Sequence, residues 1–94
     1  MFAVNEEDEA ELKILIQELK KVDQEKLTKA QKSQVKDILI LLKKAQEVAK
    51  NDRHNMEAFL NYLKAMAPYV EILKIIGPIG LHILGFVKGH ISFT

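Results

Sequence analysis

The chain has 94 residues and a mass of 10.7 kDa, with 48% hydrophobic and 29% charged positions, which is too short for two cores and too apolar for disorder. It contains no cysteine, so disulfides, thiolate metal sites and a cysteine nucleophile are excluded. A formal net charge of +1 supplies no general attraction to nucleic acid, and the run of acids after Asn5 is unlike a signal peptide.

Charge is unevenly spread along the chain. Residues 1–25 hold eight acids against three bases, residues 26–53 hold eight bases against three acids, and residues 54–94 hold only five charges in all. No Pro-, Gly- or Ser-rich linker separates these parts, so the expectation is a single helical domain over residues 1–94.

A first helix is expected over residues 5–22. Asn5 can accept a free N–H at its start, and Glu6, Glu7, Asp8 and Glu9 suit the positive end of the helix dipole. Leu12, Leu15, Ile16, Leu19 and Val22 then recur at the spacing of one helical face, with Ile14 as an exposed exception. Thr28 and Gln31 have the form of a capping box, predicting a second helix over residues 28–50 with Val35, Ile38, Leu39, Leu42, Ala45 and Ala49 inward. Leu41 and Val48 widen that stripe enough to touch two neighbours.

Asn51 in a left-handed conformation and Asp52 as a cap would give a tight turn into a third helix over residues 53–76. Met56, Phe59, Leu60, Leu63, Met66, Val70 and Leu73 stay in phase across Pro68, predicting a kink there rather than a break. Gly77 followed by Pro78 is a stronger stop, with Gly77 as a left-handed cap and Pro78 opening a short apolar helix over residues 78–88. Gly80 and Gly85 each weaken that last helix by about 1 kcal/mol relative to alanine, so it needs packing to persist. The fold class expected is all-α: an up-and-down bundle of three to four helices.

Several features invite a chemical reading. Lys29, Lys36, Lys43 and Lys50 form a heptad series with Lys32 on the same flank, but no arginine or aromatic interleaves them, so a solvated face is favoured over nucleic-acid binding. Glu11, Glu18 and Glu25 share the heptad interval. Helical handedness argues against their bridging to the lysines within one chain, leaving exposed charge or contact with another molecule. His54, His82 and His90 are poorly spaced for a metal, and residues 72–94 contain no carboxylate side chain to complete a zinc site. They are read as structural or exposed, and no metal or cofactor is expected. Ser33 and Ser92 have no general base beside them, so catalysis has no visible carrier and no enzyme is expected.

The most informative stretch runs from Tyr69 to Val87, where only Glu71, Lys74 and His82 are strongly polar. As a fourth wall it completes the bundle but leaves apolar surplus. That surplus points to a non-catalytic interaction or self-association module docking through Ile75, Ile76, Ile79, Ile83, Phe86 and Val87, with Gly85 and Gly89 allowing close helix packing in a homodimer. The alternative is a membrane-active or membrane-anchored protein inserting residues 69–94. A cytoplasmic location follows from the first reading, a membrane-peripheral one from the second.

Overall fold

The computed structural model describes residues 3–92, and its helices are α1 (Glu6–Lys20), α2 (Lys29–Asn51), α3 (Met56–Lys64), α4 (Val70–Ile75) and α5 (Pro78–Lys88), with a 3-10 turn over Ala67–Tyr69. Together α3, the turn and α4 form the bent third arm, so the protein is a four-helix bundle with one kinked member.

Local chemistry starts the first two helices. The Asn5 side chain accepts from the Glu7 N–H at 2.8 Å. Thr28 Oγ1 accepts from the Gln31 N–H at 3.1 Å while Gln31 Oε1 accepts from the Thr28 N–H at 2.9 Å, which closes the capping box. Each cap satisfies backbone donors that the first helical turn leaves without partners. The first helix stops at Lys20, two residues before the expected end, and Val22 packs half-buried against the core from outside it.

The second turn differs from expectation. Asn51 is the last residue of α2, no non-glycine residue among those described has positive φ, and α3 begins at Met56 rather than 53. Asn55, not Asp52, caps α3: its Oδ1 accepts from the Ala58 N–H at 3.1 Å and its Nδ2 donates to Asp52 at 3.0 Å. The reason lies across the molecule. Val4 donates its N–H to the Arg53 carbonyl at 2.8 Å, and the Arg53 guanidinium donates back to the Val4 carbonyl at 3.2 Å and to Glu6 at 3.3 Å. This clasp holds residues 52–55 open as a turn.

Pro68 cannot donate to Lys64, and α3 accordingly ends at Lys64. The chain bridges the gap with a 3-10 turn that keeps the apolar positions in register, since Phe59, Leu63, Met66 and Leu73 are all fully buried or nearly so. Tyr69 fixes the bend to α2 by donating its O–H to Asp37 at 3.2 Å. Partial burial and the Asp37 carboxylate both push the Tyr69 phenol above its ordinary value.

At the next corner Gly77 has φ +110° and ψ −168°, an extended conformation open only to glycine rather than the left-handed cap expected from sequence. Pro78 then opens α5. Gly80 lies so close to α4 that a Cβ there would collide with the Leu73 carbonyl oxygen and approach Ile76 Cγ1 at 2.8 Å. That contact seats α5 back against α4.

One continuous core results. Leu12, Leu19, Ile38, Leu42, Phe59, Leu63, Met66, Leu73, Ile83 and Val87 have essentially no exposed surface, and Val4, ahead of α1, joins them.

Candidate functional site

The residues expected to contact a partner divide sharply. Ile79, Ile83, Phe86 and Val87 are buried, with Ile83 and Val87 fully so, and all four belong to the core of the protomer. Their assignment to a contact surface is therefore corrected: they are the inner arc of α5, packed within the bundle. Ile76 is half-buried. Ile75 remains 59% exposed, and Leu81, which was not in the expected set, is 56% exposed.

The geometry of α5 explains this division. Pro78, Leu81, His82, Gly85, Lys88 and Gly89 are exposed, and at 100° per residue they share one strip about 120° wide. The complementary arc carries Ile79, Gly80, Ile83, Leu84, Phe86 and Val87, all buried. Gly85 and Gly89 thus lie on the outward strip, and a Cβ added at Gly85 would meet nothing within 4 Å. Neither glycine is used for close helix packing inside the protomer. Leu81 on this strip and Ile75 at the end of α4 form the exposed apolar surface near the C-terminal helices. Two further exposed isoleucines, Ile14 on α1 and Ile40 on α2, lie in the N-terminal half.

The expectation of a membrane-inserting tail is overturned. Among the described residues no helix is long and apolar enough to cross a membrane. The side chains assigned to lipid are occupied in the core, so insertion would empty the bundle of Ile79, Ile83, Phe86 and Val87. Residues 93 and 94, part of that proposed tail, lie outside the described region.

The charged stripes are solvent-facing. Lys29, Lys32, Lys36, Lys43 and Lys50 are exposed, as are Glu11, Glu18 and Glu25. The ion pairs among the described residues are Arg53–Glu6, Lys74–Glu71 and His90–Asp8, and none joins the two stripes. Lys20, Lys32 and Lys36 border an open groove of about 520 Å³ between α1 and α2, floored by Leu19, Val35 and Leu39.

Of the histidines, His54 and His82 are exposed while His90 is drawn inward. Its Nδ1 lies 2.8 Å from the Phe86 carbonyl and its Nε2 lies 2.9 Å from Asp8 Oδ2. The ring also meets Phe59 edge-on, with centroids 5.7 Å apart, and Phe86 at 4.7 Å. Burial alone would lower the His90 pKa. The hydrogen bonds to Phe86 and Asp8 and the Asp8 charge outweigh it and hold the value above the ordinary 6.5. Asp8 supplies the carboxylate partner that the C-terminal segment lacks, from 82 residues away, and no spacing rule could have indicated that pairing. Among the described residues no three His, Cys, Asp or Glu side chains are grouped to hold a metal ion.

No protein-family model matches the chain, and neither the curated proteins nor the solved structures contain a match.

Proposed function

We propose that this protein is a non-catalytic helical module that self-associates through the exposed apolar surface of its C-terminal third. The observation that carries this reading is the pair Ile75 and Leu81, 59% and 56% exposed at the end of α4 and on the outward strip of α5. Neighbouring apolar side chains are already committed to the core, so these two are surplus to folding. Burying them against a partner removes apolar area from water at roughly 25 cal/mol per Å².

A second copy of the chain is the partner this surface favours, because a two-fold interface needs only one self-complementary patch. The strip around Leu81 suits such a contact: Gly85 and Gly89 carry no side chain to hold another helix away. The polar side chains brought together elsewhere have structural employment. Arg53 ties the N-terminal segment to the α2–α3 turn, Tyr69 ties the bend to α2, and His90 ties α5 to α1. That distribution supports a binding role over a catalytic one.

Sedimentation velocity over a range of concentrations tests the reading, comparing the natural chain with the double variant Ile75→Asp/Leu81→Asp. The natural chain is expected to shift from monomer to dimer as concentration rises, and the variant to remain monomeric with unchanged far-ultraviolet circular dichroism. A natural chain that stays monomeric throughout would remove self-association.

A further inference from the structure

We infer that His90 is a proton-operated latch that fastens the end of α5 to the first turn of α1 and loosens as the imidazole loses its second proton. Both ring nitrogens of His90 face acceptors. Nδ1 points at the Phe86 carbonyl oxygen, which can only accept, and Nε2 points at the Asp8 carboxylate, which accepts when ionised. Both hydrogen bonds form together only when both nitrogens carry protons. A neutral imidazole has one N–H, so one of the two contacts becomes a lone pair facing an oxygen lone pair.

The surroundings give this proton leverage. From α1 the charged group meeting the ring is Asp8; from α3 the ring meets Phe59 and from α5 it meets Phe86, neither of which titrates. Lys88, nearby on its own element, is exposed and lines the same surface hollow. The Asp8 and His90 side chains are only about a quarter exposed, 27% and 23%, so their interaction is less screened than a surface ion pair. The mechanical role follows from position. Beyond Lys88 the chain is held by the Gly89 amide bonding to Gly85, by the His90 and Ile91 amides bonding to Val87 and by this side chain, and half-buried Ile91 packs against the core behind it.

The direction of the pH effect is fixed by the raised folded-state value. The stabilisation is complete below the ordinary 6.5, where even the open form is protonated, and is lost as pH rises through the higher folded value. The Val4 amide provides an internal contrast, because it donates to the Arg53 main-chain carbonyl at 2.8 Å and not to a group that gains or loses a proton.

Nuclear magnetic resonance of the full chain between pH 5.5 and 8.5 tests the latch, following the His90 ring and the amide protection factors of Ile91 and Val4. His90 is expected to titrate above a histidine in an unstructured peptide. Ile91 protection should fall with rising pH by the ratio of folded to open proton affinities, while Val4 protection stays level. In Asp8→Asn, which keeps an acceptor oxygen but removes the charge, the titration should move down and the fall in protection should shrink. His90→Gln should abolish the pH-dependent part. Should His90 titrate at or below the peptide value, or Ile91 protection be independent of pH in the natural chain, the latch is overturned, whether or not either variant folds.

Discussion

The N-terminal and C-terminal halves of this bundle are held together by different means. The first two helices are 15 and 23 residues long, and each begins on its own side-chain cap. The C-terminal half is assembled from a 9-residue helix, a 3-10 turn, a 6-residue helix and an 11-residue helix, and neither α4 nor α5 has a side-chain cap. Helices shorter than about 12–15 residues are marginal alone in water. The C-terminal pieces therefore depend on tertiary contact, above all on Phe59, Leu63, Met66, Ile83 and Val87, which have no exposed surface. Local rules build the first half, whereas packing recruits the second.

Breaking the packing should show this most strongly. Phe59→Ala removes the largest fully buried side chain and is expected to destabilise by about 3–5 kcal/mol, read from urea unfolding. Phe59 shares one continuous cluster with Leu12 and Leu19 of α1, so the loss should lower a single cooperative transition. Separate transitions by fluorescence and circular dichroism would instead show the α1–α2 pair standing alone. Gly80→Ala should come next, at about 1–3 kcal/mol or more, because the added Cβ meets the Leu73 backbone and not a yielding side chain. Retained stability in that variant would mean that α5 can lift from α4 without disturbing the core.

The same division marks how much could be read from the sequence. Asn5, the Thr28–Gln31 box, the inward stripes of α1 and α2 and the bend at Pro68 are consequences of nearby residues, and periodicity with capping chemistry located them. The inner arc of α5 could not be found that way. A helix with apolar residues almost all round carries no signal for which arc faces inward, so Ile79, Ile83, Phe86 and Val87 read as outward at least as readily as Leu81, the one that is exposed. Only Ile75, with Ile76 in part, keeps its expected place at the surface. Val4, Arg53 and the Asp8–His90 pair were equally hidden, since each acquires its role from a segment distant in the chain. Docked on the core, α5 also makes the membrane alternative needless: its greasiness is largely what completes the bundle.

Gly80 and Gly85 sharpen the contrast to its finest point. In the sequence they are equivalent glycines in one helix, each counted as a weakness. In the structure Gly80 is required by the approach of α4, whereas Gly85 faces open space. Gly85→Ala should therefore stabilise the protomer by about 0.5–1 kcal/mol, because alanine loses less backbone freedom on entering a helix and meets no obstacle. The measurement is a rise in the urea midpoint with an unchanged slope. If the outward strip packs closely against a second copy, the same methyl group should also weaken dimerisation in the ultracentrifuge. Stabilisation with unaltered dimerisation would place Gly85 outside the contact and leave Ile75 and Leu81 as its centre. A loss of protomer stability would mean that the strip is less open than its geometry indicates.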